Sequence, residues 1–360
     1  MVRVSWPRRL GASVAIVALA VCGRGGEAQT PAPAASSFAA QIAALSEDEG
    51  YFDTDNLISN EQGYLAVLAD IEQAALKGGA YVGVGPDQNF SYIAAARPEV
   101  AFIIDVRRDN LLLHLLFKGL FALARTRVEY LTLLCGRAVP ADVDAWRTRG
   151  IEALTAYTDA ASVPDGHARD ALRARVAAQV QSFGVALSAA DLQTIDRFHR
   201  RFIDAGLDLR FHSLGRSPQG HYPTFRQLLL ERDGSGRQRN YLASEDGFQF
   251  LKMLQGKDMI IPVVGNLSGA AAMPAIGRWM RERGTPLSIF YASNVEFYLF
   301  REGSFIRFVE NLSRMPHGER ALVIRSVFGG GSSVSQTQPV PALLDGFSQG
   351  RFRHYWELVR

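Results

Sequence analysis

The chain has 360 residues, of which 48% are hydrophobic, 21% charged and 10% aromatic. That composition excludes a disordered chain, a collagen-like repeat and a disulfide-dense miniprotein, and it supports a sizeable buried core. The formal net charge is only +3, no internal repeat marks a solenoid, and at roughly 100–200 residues per domain one elaborated domain is expected.

Residues 1–28 read as a secretory signal. Arg3, Arg8 and Arg9 give a basic start, residues 10–22 an apolar run, and Gly26-Glu27-Ala28 a small-x-small site before Gln29. The expected location is therefore periplasmic or extracellular. The run is shorter than the about 20 residues of a membrane span, and no second candidate follows, so no integral membrane segment is expected in the mature chain. The competing readings are an uncleaved N-terminal anchor, a lipoprotein box at Leu19-Ala20-Val21-Cys22, and a twin-arginine signal at Arg8-Arg9 with poorly matching flanks. Cleavage takes Arg3, Arg8, Arg9, Arg24 and Glu27 from totals of 39 basic and 36 acidic side chains, leaving 35 of each. A neutral mature chain has no global field for nucleic acid, and none is expected as a partner. Cleavage also leaves Cys135 without a disulfide partner, as a small buried hydrophobe.

Residues 29–37, rich in Ala, Pro and Ser, read as a flexible tether, with the fold starting near Phe38. Between 57 and 76, Leu57, Ile58, Tyr64, Leu65, Leu68, Ile71 and Leu76 recur at helical spacing, with Ser59 or Asn60 as a cap and Glu61 in the first turn. A short strand at 80–84, a Gly-rich turn, a short helix at 92–96, a strand at 100–104 ending on Asp105, and a long helix at about 109–125 follow. Apolar runs without alternation suit parallel strands covered on both faces. Between 126 and 205 strand signals give way to helices at 142–161, 169–183 and 188–203, the last opened by Ser188 and Asp191 at capping-box spacing. Strands are expected again at 207–213, 259–264, 287–292 and 322–327, separated by helices at 224–232, 244–255, 269–283 and 305–314. Residues 329–341 read as a loop, with no antiparallel final hairpin, and 347–359 as a closing helix. The expected fold is a doubly wound, mostly parallel, Rossmann-like α/β sheet over 38–360 with a helical insertion at 126–205.

Ligands of such sheets bind beyond the carboxyl ends of the strands, near the reversal of strand order. That rule selects the loops at 83–90, 105–110, 213–215, 265–268 and 292–296. In the first, Gly83 and Gly85 let the backbone turn tightly and approach a ligand, ahead of a helix start with unpaired N–H groups. Asp105 lies 20 residues after Gly85, where an acid can accept hydrogen bonds from ribose hydroxyls. The same residues can instead form a tight turn and a helix cap.

Gly83-Val84-Gly85-Pro86, Asn89 and Asp105 resemble the glycine loop and ribose-binding acid of the class I S-adenosylmethionine-dependent methyltransferase fold. Asn60-Glu61, the stretch 261–269 and the stretch 293–300 resemble motifs of an uncharacterised bacterial exported family with that fold. The resemblance implies S-adenosylmethionine as cofactor, held by Glu61, Gly83, Gly85, Asn89 and Asp105. Two positions depart from the pattern: Tyr81 stands where an acid is usual, and Asp87 where a third glycine is common. For methyl transfer, Glu296 is the candidate acid/base, with Asn294 and Asn266 as positioning groups. The competing role for Asn294 is a helix cap, and for Glu296 and Glu61 helix-start electrostatics.

No Gly-x-Ser-x-Gly elbow, phosphate-binding loop or His-Glu-x-x-His pair occurs, and the seven dispersed His residues form no metal spacing. The expected function is an exported protein that binds a nucleoside-containing small molecule, in sharper form as a methyltransferase. The alternative is a non-catalytic binding or scaffold protein that retains the sheet.

Overall fold

The computed structural model describes residues 1–2, 37–215 and 220–359. The signal read at 1–28 and the tether at 29–37 thus lie outside the described residues, apart from residues 1, 2 and 37. The Ser37 hydroxyl caps α1 (Phe38–Leu45). Beyond a long irregular segment come a single 3-10 turn (Tyr64–Val67) and α2 (Leu68–Gln73). The chain then runs through β1 (Ala80–Gly83), α3 (Gln88–Ala96), β2 (Val100–Asp105) and α4 (Arg108–Leu123). Six helices follow: α5 (Arg127–Leu134), α6 (Ile151–Ala160), α7 (Gly166–Gln181), α8 (Ala189–Ala205), α9 (Phe225–Leu230) and α10 (Glu245–Gly256). Next are β3 (Ile260–Val264), α11 (Ala272–Glu282), β4 (Leu287–Ser293), α12 (Val295–Arg301) and α13 (Phe305–Ser313). The last elements are β5 (His317–Gly329), β6 (Ser332–Pro339), α14 (Val340–Ser348) and α15 (Tyr355–Leu358).

The six strands form one sheet in the order β3-β2-β1-β4-β5-β6. β1 pairs in parallel with β2 and with β4, β2 with β3, and β4 with β5. The result is a mixed α/β, Rossmann-like fold with a mostly parallel sheet. Strand order reverses beside β1, because the chain adds β2 and β3 on one side of it and β4 and β5 on the other. Val100 to Ile104 are all buried, as are the five residues of β3, which is why these runs lack alternation.

Two expectations for the sheet are corrected. The run 207–213 is not a strand of it. Gly206–Asp208 forms a 3-10 turn, after which Arg210 and Ser213 make isolated antiparallel bridges to Thr224 and Thr54. Its alternation of Leu207, Leu209 and Phe211 with polar residues suits a half-covered segment, not the interior of a parallel sheet. The expected loop at 329–341 is instead β6, antiparallel to β5 from Leu322↔Pro339 to Gly329↔Ser332. Gly330 and Gly331 connect them with φ of 60° and 84°. Positive φ at both central residues is the two-residue hairpin turn that matches strand twist.

The expected helix at 57–76 also shortens, because Gly63 adopts φ 66° and starts the helical region only at Tyr64. Ser335 N–H donates to Gly63 O, and Gln62 N–H donates to Ser333 Oγ at 2.8 Å, so this segment docks on β6. The helix expected at 142–161 divides into a 3-10 turn at Asp144–Trp146 and α6. The capping box of Ser188 and Asp191 is present at the start of α8.

Within the helical stretch, α7 and α8 pack on α4. Asp191 pairs with Arg108 through two hydrogen bonds of 2.9 and 3.0 Å, and Phe202 meets Phe117 edge to face. Gly119 of α4 lets α7 approach closely, since a Cβ there would lie 3.1 Å from Val180 Cγ2. Gly119→Leu is therefore expected to cost about 1–3 kcal/mol of stability by overpacking. Urea unfolding measures it, and an unchanged midpoint would contradict this helix contact.

Candidate functional site

A cleft of about 400 Å³ opens at the carboxyl ends of β1, β2, β3 and β4. Its lining includes Gly85 after β1, Asp105 and Arg107 after β2, Asn266 after β3, and Ser293 and Asn294 after β4, together with Glu61. The four parallel strands deliver their loops to one place because all run in the same direction on either side of β1.

The glycine loop is built by three side chains that the cleft does not see. Asn89 is fully buried; its amide donates to Val84 O at 2.8 Å and Pro86 O at 2.7 Å, and its Oδ1 accepts from Tyr81 Oη at 2.8 Å. Tyr81, standing in place of an acid, thus orients Asn89. Gly83 makes room for the pair: a Cβ there would lie 2.1 Å from Asn89 Oδ1 and 2.7 Å from Tyr81 Oη. Gly83 and Asn89 accordingly shape the loop from behind and do not line the cleft. Gly85 does line it, with φ 83° and only Asn56 Nδ2, at 3.4 Å, near where a Cβ would be. Behind it, His114 Nε2 lies 2.9 Å from Gly85 O. Burial lowers the His114 pKa to about 4, so the ring is neutral, and a neutral ring facing a carbonyl carries its proton on Nε2.

Asp105 ends β2 and lines the cleft, but Arg107 holds it in a fork. Nε donates to Oδ1 at 3.0 Å, Nη2 to Oδ2 at 2.7 Å, and the Arg107 backbone N–H to Oδ1 at 3.0 Å. Oδ2 takes only one of these bonds and keeps a lone pair for a further donor. Glu61 is 1% exposed, and its carboxylate meets four neutral donors. Gln88 Nε2 donates to Oε2 at 2.6 Å and Tyr291 Oη at 2.7 Å, while the Ser293 and Ser326 hydroxyls complete the set. Among the described residues no Lys, Arg or His pairs with it. Ser293 adopts φ 53°, a left-handed conformation strained for a residue with a side chain, and thereby aims its hydroxyl at Glu61.

Three side-chain amides on the lining, Asn56, Asn60 and Asn294, make no hydrogen bond to a described residue. Asn294 precedes α12 without capping it. Asn266 accepts from Ser268 N–H and Oγ, both at 2.9 Å, and so stiffens its own turn. Glu296 stands elsewhere. It is fully buried beneath the cleft loops, where Arg325 of β5 donates Nε to Oε2 at 2.6 Å and Nη2 to Oε1 at 3.2 Å. It is not among the residues that line the cleft, and this fork turns its carboxylate toward β5.

The cover of the cleft went unread in the sequence. Gly50, Tyr51, Phe52, Asp53 and Thr54 pass over the strand ends, with Tyr51 80% exposed at the rim. Glu47 anchors this strap by accepting from the N–H groups of Asn266 at 2.7 Å, Ala271 at 3.2 Å and Ala272 at 3.0 Å at the start of α11. Gly50 N–H donates to Val106 O at 2.7 Å. Only the crowding of acids in 47–55 gave a signal for it.

Fold and cleft together define an α/β protein with a ligand-sized site at the switch point of its sheet. The chain belongs to the family described as a domain of unknown function (DUF7790), whose model matches residues 57–150 and 213–355. The unmatched stretch covers α6, α7 and α8, and the strap precedes the first match. Comparison with curated proteins gives no match. Among the described residues no helix is long and apolar enough to cross a membrane, and no cluster of His, Cys, Asp and Glu is set to hold a metal.

Two outcomes are expected. Arg325→Met strands the Glu296 carboxylate in the interior and should cost about 3–5 kcal/mol, whereas adding Glu296→Leu should recover most of it. Denaturant unfolding measures both, and a mild single variant would remove the pair's structural role. Asp87, behind the glycine loop, is pushed up to about 7 by burial, opposed by the hydrogen bond from Tyr241 Oη at 3.0 Å. A raised acid binds its proton more tightly in the folded state, so its contribution to stability is complete below pH 3.8 and lost as pH rises through about 7. Asp87→Asn should therefore gain on the wild type between pH 4 and 8, by at most about 4 kcal/mol. Thermal melts across that range check it; a constant difference would count against a buried, titrating Asp87.

Proposed function

We propose that the cleft binds a small, positively charged, nucleoside-containing molecule of the S-adenosylmethionine type, on a doubly wound, methyltransferase-like sheet. The observation that carries this reading is the charge of the lining. Among the described residues of the lining, Glu61, Asp105 and Glu302 face a single cation, Arg107, which is already committed to Asp105. Glu61 in particular is an ionisable group held by dipoles alone, and a desolvated carboxylate gains most from a full positive charge brought beside it.

On this reading the ligand's cationic end lies by Glu61. Its ribose donates to the open lone pair of Asp105 Oδ2, and its chain passes the bare backbone of Gly85. Asn294 and Asn60 orient the groups between. Export by residues 1–28 belongs to the same proposal, the ligand then being one met outside the cytoplasm or carried out by the folded chain.

Methyl transfer is the sharper form, with Asn294 and Asn266 as positioning groups. The second reading, binding without turnover, is favoured by the engagement of Glu296 with Arg325, which leaves the expected base outside the cleft.

Calorimetry of the chain from residue 29 onward tests the binding. S-adenosylmethionine and S-adenosylhomocysteine are expected to bind in the micromolar range, the sulfonium form about tenfold more tightly, a difference of about 1.4 kcal/mol. Glu61→Gln should erase that preference, and Asp105→Ala should weaken both ligands about tenfold by removing the ribose acceptor. Millimolar or absent binding of both would sink the proposal.

A further inference from the structure

A second cavity of about 280 Å³ adjoins the cleft at the tip of the β5–β6 hairpin. Its walls are Phe328 and Ser332 on the hairpin and His221 and Tyr222 on the facing segment, and Asn60 and Gln62 form its floor. Asn60 and Tyr222 line both cavities. The two therefore meet beside Glu61, the residue between the two floor amides.

The chemistry of this second cavity is unlike that of the first. Among the described residues, no Asp, Glu, Lys or Arg lines it. Two aromatic rings supply flat apolar surface, while amides, hydroxyls and an imidazole supply both donors and acceptors. Gln62 is already engaged, donating from Nε2 to His221 O at 3.1 Å, and Ser333 Oγ exchanges hydrogen bonds with the Gln62 backbone at 2.8 and 3.0 Å. These bonds tie the floor to both walls. The Asn60 amide and the Tyr222 hydroxyl make no hydrogen bond to a described residue, and both residues border the cavity. The volume falls just below the about 300 Å³ at which sites for drug-sized ligands begin.

We infer that this cavity is a subsite for a neutral hexopyranosyl unit, free or at the end of a glycan. Hydroxyls around a ring answer the scattered donors and acceptors, and the ring's C–H face lies against Phe328 or Tyr222. A charged substituent finds no counter-ion among the described lining residues, and an anionic one is also repelled by the acids of the adjoining cleft. The inference does not depend on the nucleoside reading: Asn60 and Tyr222 border both cavities, but Phe328, Ser332, Gln62 and His221 line this one and not the cleft.

Saturation-transfer NMR on the chain from residue 29 onward provides the test, using the methyl glycosides of glucose, galactose, mannose and N-acetylglucosamine, with methyl glucuronide as the anionic control. At least one neutral glycoside is expected to receive saturation, and the glucuronide none. A disaccharide ending in the bound sugar separates the two sources: signal on its terminal ring alone marks a glycan end, and loss of binding marks a free monosaccharide. Ser332→Trp fills the cavity from an exposed position and should abolish the glycoside signal. In the same variant, S-adenosylhomocysteine affinity should stay within about twofold of the wild type. Phe328→Ala, read in parallel, should weaken the signal about tenfold. Binding of none of the four glycosides, equal saturation of the glucuronide, or a signal that survives Ser332→Trp would overturn the inference. Glycoside binding without S-adenosylhomocysteine binding would defeat only the nucleoside reading.

Discussion

The Glu61 carboxylate is the constraint around which the cleft is organised. Removing an ionised carboxylate from water without compensation costs several kcal/mol, so its burial demands partners. Here they come from three different elements: Gln88 from α3, Tyr291 and Ser293 from β4, and Ser326 from β5. The donors are neutral, so no side-chain cation among the described residues is paired with it. The same bonds fix the segment before the 3-10 turn against two central strands, and Ser293 accepts a strained backbone to take part.

A second layer of contacts aligns the strand ends. Asn89 and Tyr81 pull the glycine loop inward from behind, Arg107 holds Asp105 flat against the end of β2, and Arg325 ties α12 to β5 through Glu296. Each is a buried polar group whose hydrogen bonds have been met within the protein. Rigid supports of this kind let a few unbonded amides and one open carboxylate oxygen remain available at the surface of the cleft. The strap over 50–54 then limits access from the side opposite the sheet.

The division of the chain by the family match follows this anatomy. Matched residues supply the sheet, the glycine loop, Glu61 and the hairpin, while α6, α7 and α8 lie in the unmatched stretch, α7 and α8 packing on α4. These helices stabilise the fold through Asp191, Phe202 and Val180 without contributing a side chain to the cleft. Cys135, buried in this region with its thiol pushed up to about 12 by burial, is held there as an inert apolar group.

Local pattern was enough to read β1 to β4 from unbroken apolar runs, Ser188 from its capping box, and the glycine loop with Asp105 at the following strand end, since each depends on residues close together in the chain. Hydrophobic spacing misled where a backbone conformation intervened: Gly63 stops the helix that Leu57 and Ile58 appear to begin, and the Gly330-Gly331 turn, present as a Gly-Gly pair, makes a hairpin of a stretch rich in loop-forming residues. Which polar groups face a ligand was decided by tertiary structure alone. Glu61 meets Ser326 across 265 positions and Glu296 meets Arg325 across 29, and only that packing turns one carboxylate toward the cleft and withdraws the other. Sequence fixes which groups can ionise or hydrogen-bond, but the cost of leaving them unpaired in the interior selects their partners, and that selection exists only once distant strands have come together.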